Sequence, residues 1–199
     1  MTNSTILGHP KHGKNGRRGV FDTVEANLRA ICSAKGLAVA DSQVNVAAEL
    51  RVTFTKECIL PRSDTVAVLD QLKSRGLRLG LVSDCSAEVP AIWYGTPLAT
   101  YFDAAVFSCV LGTKKPDPAM YRDAYSQIGI APEKCLYIGD GFSRELEGAQ
   151  RVGMHAVLIA VPDELSADSS HNEASSWTGD RVTCLSEVIA IATQLDSMV

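Results

Sequence analysis

The 199-residue sequence lacks the features that mark several large classes of protein. No run approaches the ~20 consecutive apolar residues that cross a bilayer, so a membrane partner is not expected. Positive charge is not in excess either, because 19 basic residues face 23 acidic ones and the net charge is −4. Without a positive field the chain is not expected to bind nucleic acid.

The six cysteines lack the spacing of a metal site or a redox motif. No C-x-x-C pair occurs, and no histidines are spaced to complete a zinc site. The N-terminus also lacks an apolar core followed by a cleavage site, so export is unsupported. Free thiols inside apolar runs are typical of a reducing compartment, and we expect a cytoplasmic location.

The composition is that of a globular protein, because 46% of the residues are hydrophobic. Residues 1–19 are rich in glycine and basic side chains and are predicted to be a flexible basic segment. Residues 20–60 have helical periodicity, whereas residues 61–199 mix short apolar runs with helical segments. We therefore expect three parts with these boundaries.

The region 20–60 is predicted to be a helical hairpin. A first helix is expected from Asp22, where D-T-V-E has the layout of a capping box. A second helix is expected over 42–58, and its buried stripe is predicted to contain Val46, Leu50 and Phe54, which recur every four residues.

The region 61–199 alternates between the periods of helices and strands. A helix with the stripe Val66, Leu69 and Leu72 is expected after residue 61, and a closing helix after Ser186. The residues 162–179 are polar and are predicted to form an irregular excursion. Short runs rich in Val, Leu and Ile predict strands at 77–83, 104–107, 135–139 and 155–161, with helices at 117–128 and 143–152. This alternation predicts an α/β fold with a mainly parallel sheet.

Four polar residues stand where such a sheet binds ligands. Ser83 ends the strand L-G-L-V-S, and Asp140 follows L-Y-I-G, so both fall at carboxyl ends of strands. Lys115 lies in G-T-K-K-P-D-P, and Glu145 follows Asp140 at the start of a helix. A hydroxyl, an ammonium and two carboxylates in this order form a set suited to phosphoryl transfer.

These motifs, spread over most of residues 22–161, resemble the second, third and fourth motifs of the haloacid dehalogenase superfamily. The resemblance implies a Rossmann-like doubly wound sheet, and residues 20–60 resemble a remnant of the helical cap. It implies that Ser83 and Lys115 bind phosphate, that Asp140 binds Mg²⁺, and that Glu145 assists catalysis by orienting the metal shell or pairing with Lys115. Most members are magnesium-dependent phosphatases that act on small phosphorylated metabolites.

Each of these residues also has a purely structural interpretation. Ser83 and Asp140 could simply bond the turns that follow their strands, and Glu145 could be a first-turn carboxylate favoured by the helix dipole. Lys114 is expected to be solvated, and Asp117 is expected to cap a helix. The role of Asp84 is left open.

The first motif of the family, an apolar strand ending in D-x-D, is not found. The nearest segment, V-F-D-T at 20–23, has one aspartate and is better explained as a helix cap. In the family this motif supplies the nucleophile on a central strand between those that carry Ser83 and Asp140. Its loss would leave two open strand edges, let the strands close together, or require a strand from another chain.

The sequence therefore predicts a haloacid-dehalogenase-like hydrolase by descent, phosphatase-type, whose chain is truncated or misassembled and inactive alone. Mg²⁺ binding is expected to be weak, because Asp140 alone remains of the family's protein ligands. Two alternatives are a non-catalytic module that binds phosphorylated ligands and an interaction module that self-associates through open strand edges. The substrate and the choice among phosphatase, dehalogenase and phosphomutase chemistry stay open.

Overall fold

The computed structural model describes residues 23–161 and 172–197, so the predicted basic segment 1–19 lies outside the described residues. The described chain begins with a helical hairpin of α1 (Val24–Ala34) and α2 (Asp41–Cys58). Thr23 caps α1, because its hydroxyl accepts a hydrogen bond from the amide of Ala26 at 3.1 Å. Asp22, where the helix was predicted to begin, is outside the described residues.

The hairpin is confirmed, but the predicted buried stripe of α2 is wrong. Val46, Leu50 and Phe54 are 57%, 66% and 68% exposed, whereas Val44 and Ala48 are buried. The true buried positions also recur every four residues, but they lie on the neighbouring face of the helix. The larger apolar residues Leu50 and Phe54 are left in solvent.

The buried face of α2 packs against both α1 and the sheet region. Ala48 shares an apolar cluster with Val24 of α1 and with Ala87. On the same side, Arg51 donates a hydrogen bond to the carboxylate of Glu88 at 2.6 Å. The hairpin is thus attached to the rest of the protein just beyond the first strand.

Within the described residues, five parallel strands form the sheet region, in two separate groups. One group has the order β1-β2 and the other has the order β3-β4-β5. Their bounds are β1 (Gly80–Ser83), β2 (Ala104–Phe107), β3 (Leu136–Gly139), β4 (His155–Ile159) and β5 (Arg181–Val182). The predicted α/β fold with a parallel sheet is confirmed, and β5 is an additional short strand that was not predicted.

The remaining helices include four that were predicted. They are α3 (Thr65–Ser74), α4 (Glu88–Trp93), α5 (Ser108–Leu111), α6 (Pro118–Ile128), α7 (Glu145–Arg151), α8 (Asn172–Ser176) and α9 (Leu185–Ser197), with 3₁₀ turns at Pro97–Tyr101, Pro132–Lys134 and Phe142–Arg144. The predicted helices correspond to α3, α6, α7 and α9, whereas α4 and α5 were not predicted, and two further details differ. In α3 the buried residues are Val68 and Leu72, while Val66 is exposed. Part of the stretch predicted as irregular is the helix α8.

Helices cover both faces of the sheet region, as in a doubly wound fold. Along β4 successive side chains alternate between the faces. Ala156 and Leu158 belong to a core shared with α6 and α7, whereas Val157 and Ile159 pack with Val188 of α9. No helix within the described ranges is long and apolar enough to cross a bilayer.

A gap in the hydrogen-bonded sheet separates β1 from β3. Across residues 23–161 and 172–197, β1 pairs with β2 alone and β3 pairs with β4 alone. Side chains nevertheless span the gap, because Val106 of β2 and Tyr137 of β3 belong to one core with Tyr121 of α6. Among the described residues, neither β1 nor β3 has a strand partner on its other edge.

Candidate active site

The predicted site residues stand at the carboxyl ends of the strands that border the gap. Ser83 is the last residue of β1, and Asp140 directly follows β3. Lys115 lies in the loop between α5 and α6, and Glu145 is the first residue of α7. The topology thus brings four distant sequence positions to one edge of the sheet region.

A continuous series of contacts connects these elements. The carboxylate of Asp84, next to Ser83, accepts a hydrogen bond from the amide of Lys115 at 3.0 Å. The ammonium of Lys115 forms an ion pair with Glu145, with Nζ and Oε2 2.5 Å apart. The other oxygen of Glu145 accepts a hydrogen bond from the amide of Gly141 at 3.3 Å, and Gly141 follows Asp140.

Glu145 is the centre of this arrangement, and it is 3% exposed. Besides Lys115, it accepts a hydrogen bond from the hydroxyl of Tyr137 at 2.8 Å. Burial raises the pKa of the Glu145 carboxyl, and the charge of Lys115 opposes that rise. Burial and the charge of Glu145 raise the pKa of Tyr137. The Tyr137 side chain therefore stays a neutral phenol, and its hydroxyl donates a hydrogen bond to Glu145. Of the two roles predicted for Glu145, pairing with Lys115 is the contact present.

Gly139 leaves the space that the Glu145 carboxylate occupies. A Cβ atom at Gly139 would lie 2.6 Å from Cδ of Glu145, closer than real contacts allow. The hydroxyl of Tyr121, on α6, donates to the backbone oxygen of Glu145 at 2.9 Å. A glycine below the carboxylate and two tyrosines beside it therefore fix its position.

The first turn of α7 is held by a residue that the sequence analysis did not single out. Glu173, on α8, accepts hydrogen bonds from the amides of Leu146 at 3.0 Å and Glu147 at 2.6 Å. These amides have no partner within the helix, so a carboxylate there satisfies them and complements the helix dipole. Glu173 thus supports the placement of Glu145 from a distant part of the chain.

Asp140 is exposed and shapes the turn after β3. Its Oδ1 accepts a hydrogen bond from the amide of Phe142 at 2.9 Å. Among the described residues no three or more His, Cys, Asp or Glu side chains are grouped to hold a metal. The nearby Glu145 already binds Lys115 and Tyr137. The described residues therefore do not complete a Mg²⁺ site. Asp140 could supply one carboxylate ligand to such a site.

Three further residues of the sequence analysis can now be placed. Lys114 is exposed, in contrast to the half-buried Lys115. Asp117 caps α6, because its carboxylate accepts from the amide of Ala119 at 2.9 Å. Asp84, whose role was left open, binds the Lys115 amide through Oδ1, while its buried Oδ2 has no hydrogen-bond partner.

The residues missed by sequence reasoning all act on Glu145 or Lys115. Tyr121 and Tyr137 lie in segments whose pattern predicts buried core positions. The partners of their hydroxyl groups become visible only in the tertiary structure. Glu173 lies in a polar stretch without periodicity, so no local signal marked it. Asp84 had one usable signal, because it directly follows Ser83 at a strand end.

Known proteins share both the sequence pattern and the fold. A sequence model of the haloacid dehalogenase-like hydrolases matches residues 7–153. The human haloacid dehalogenase-like hydrolase domain-containing protein 3 is 27% identical over 77% of this chain and 60% of its own length. A glyceraldehyde 3-phosphate phosphatase of Methanopyrus kandleri is 31% identical over 50% of this chain and 43% of its own.

Solved structures agree on the fold. A phosphatase of this type from Thermococcus onnurineus has a TM-score of 0.61 at 21% identity, over 88% of this chain and 74% of its own. An L-2-haloacid dehalogenase from Xanthobacter autotrophicus has a TM-score of 0.57 at 18% identity, over 85% of this chain and 74% of its own. This chain covers 60% of the length of the human relative and 43% of the length of the Methanopyrus kandleri phosphatase.

Proposed function

Because the chain belongs to the haloacid dehalogenase-like hydrolases, we propose that its site binds the phosphoryl group of a small phosphorylated metabolite. The observation that carries this proposal is the buried ion pair of Lys115 and Glu145 at the carboxyl ends of the strands. Phosphatase-type descent is proposed with it, since relatives named as phosphatases match half of the chain.

In the proposed site Lys115 and Ser83 supply the positive and hydrogen-bonding groups for phosphate. The ammonium of Lys115 has three N–H donors, and the ion pair with Glu145 occupies one of them. The two other donors can face a phosphoryl oxygen, as can the hydroxyl of Ser83. Glu145 acts as a positioning residue, because it orients Lys115 without leaving its own buried position.

We further propose that the described residues bind phosphate without hydrolysing it. Covalent phosphoryl transfer in this family requires an attacking carboxylate together with its acid, and the two act as one unit. Within residues 23–161 and 172–197, the carboxylates that directly follow strands are Asp84 and Asp140. The first binds the amide of Lys115 and the second binds the amide of Phe142, so both have structural roles.

Calorimetry with inorganic phosphate and sugar phosphates tests the binding proposal. The wild type and the Lys114→Met control are expected to release heat, whereas Lys115→Met is expected to lose it. An absence of heat from the folded wild type would refute phosphate binding. A separate assay with Mg²⁺ and a panel of phosphomonoesters tests the second part: turnover that Asp140→Asn abolishes would show that the chain does contain a competent nucleophile.

Mg²⁺ is expected to bind weakly on its own. A single carboxylate at Asp140 is a poor site for an ion that usually keeps several waters and uses substrate oxygens as ligands. A cytoplasmic location is also proposed, on the absence of disulfides among the six cysteines.

A second candidate function is self-association through the facing edges of β1 and β3. Both edges lack a strand partner among the described residues, and such edges readily pair with another chain. Sedimentation velocity over a range of protein concentrations tests this candidate. A mass that rises with concentration is expected, whereas a monomer at every concentration would contradict it.

A further inference from the structure

Two cysteine side chains meet directly beside the proposed phosphate site. The sulfur atoms of Cys85 and Cys109 are 3.9 Å apart. Cys109 is buried and Cys85 is half-buried. A thiol pair in contact, adjacent to Ser83, is a feature that the proposed phosphate chemistry does not use.

Both cysteines lie just beyond the paired part of β1 and β2. Ser83 of β1 pairs with Phe107 of β2, and each cysteine stands two residues beyond its member of this pair. Cys109 belongs to α5, so the contact is between the loop after β1 and this helix. A disulfide requires the two sulfur atoms to move from 3.9 Å to about 2.05 Å apart.

Hydrogen bonds hold the two segments in this position. The amide of Cys85 donates to the hydroxyl of Ser108 at 2.9 Å, and that hydroxyl donates to the carbonyl of Cys85 at 3.2 Å. The thiols are thus part of an ordered local structure.

We propose that Cys85 and Cys109 form a reversible disulfide when the protein meets hydrogen peroxide. The thiolate of Cys109 attacks peroxide, the O–O bond breaks, and Cys109 becomes a sulfenic acid while hydroxide leaves. The thiol of Cys85 gives its proton to that hydroxide and makes water. The Cys85 thiolate then attacks the sulfur of Cys109 and expels hydroxide, so peroxide is reduced and two thiols are oxidised.

The two thiols differ in a way that suits this order of events. The contact with the thiol of Cys85 lowers the pKa of Cys109, which is the direction that an attacking thiolate requires. The same pairing, together with burial, raises the pKa of Cys85, which keeps its proton until hydroxide is produced. The resulting bond would fasten the loop after β1, which carries Asp84, to α5.

Peptide mapping by mass spectrometry tests the proposal. The folded wild type is treated with peroxide, its free thiols are alkylated, and it is cut after glutamate, which separates the two cysteines at Glu88. We expect peptides of Cys85 and Cys109 joined to each other, and we expect dithiothreitol to release them. The half-buried Cys135, whose thiol donates to the carbonyl of Ala131 at 3.4 Å, is the control and should stay alkylatable.

Two variants complete the test. In Cys85→Ser, peroxide should leave Cys109 as a sulfinic acid, since no neighbouring thiol can resolve the sulfenic acid. In Cys109→Ser, Cys85 should remain alkylatable after the same treatment. Alkylation of both cysteines in treated wild type, or a bond from either one to another cysteine, would overturn the proposal. The outcome does not depend on phosphate binding.

Discussion

The buried ion pair of Lys115 and Glu145 leads to a quantitative prediction about stability. At 2.5 Å and an effective dielectric constant of about 20, the direct attraction is about 7 kcal/mol before the cost of desolvating both groups. Lys115→Met would leave the Glu145 carboxylate ionised and 3% exposed, with the Tyr137 hydroxyl and the Gly141 amide as its hydrogen-bond donors among the described residues. Breaking one side of such a pair typically costs about 3–5 kcal/mol, and we expect a loss in that range at neutral pH.

The loss should depend on pH in a defined direction. Burial already raises the pKa of Glu145 in the folded protein, and removal of Lys115 should raise it further. Between the unfolded and folded pKa values the folded state binds more protons than the unfolded state, so stability falls as pH rises. Lys115→Met should therefore be most destabilised near pH 8 and should recover part of the loss near pH 5.5.

Urea unfolding of three variants at both pH values measures this effect. Lys114→Met is the matched control and should stay within about 0.5 kcal/mol of the wild type, because Lys114 is exposed. The double variant Lys115→Met with Glu145→Gln should recover most of the lost stability, since no buried charge remains. A loss below about 1 kcal/mol for Lys115→Met, or a loss equal at both pH values, would refute the reasoning.

Four other substitutions test the supports of the site and the packing of the hairpin by the same unfolding measurement. Glu173→Ala should cost about 1–2 kcal/mol by uncapping α7, and a neutral result would remove its assigned role. Val44→Ala should cost about 2 kcal/mol while Leu50→Ala costs under about 0.5, and the reverse order would restore the stripe predicted from periodicity. Gly139→Ala should cost about 1–3 kcal/mol by displacing the Glu145 carboxylate, and unchanged stability would contradict that contact.

The sequence was sufficient to predict the order of most elements. The strands at 104–107 and 135–139 and the helix at 117–128 were predicted within one residue, because apolar runs and caps such as Asp117 are local signals. The strand β5 has two residues, too few for a pattern of its own. Element order therefore follows from local sequence, while the shortest elements depend on the neighbours that pair with them.

The buried face of α2 could not be obtained from periodicity alone. Both Val46-Leu50-Phe54 and Val44-Ala48 recur every four residues, and the larger side chains suggested the wrong set. The buried face of α2 is determined by the surface against which the helix packs. Arg51 binds Glu88, and this bond places the face with the smaller residues against the sheet region.

The candidate site was predicted as a set of four residues, and its supports were not. Ser83, Lys115, Asp140 and Glu145 stand in recognisable local motifs, so their order along the chain identified them. Their hydrogen-bond partners are scattered over other elements. A local sequence pattern does not reveal these hydrogen bonds, because the two partners of each bond belong to different helices, strands or loops.

The contacts that hold Lys115 and Glu145 do not depend on a strand between β1 and β3. The groups that fix Lys115 and Glu145 come from the loop after β1, from β3, from α6 and from α8, through Asp84, Tyr137, Tyr121 and Glu173. None of these contacts requires a strand between β1 and β3. The ion pair of Lys115 and Glu145 can therefore keep its geometry independently of an attacking carboxylate on such a strand, which is the physical basis of the proposal that this site binds phosphate without hydrolysing it.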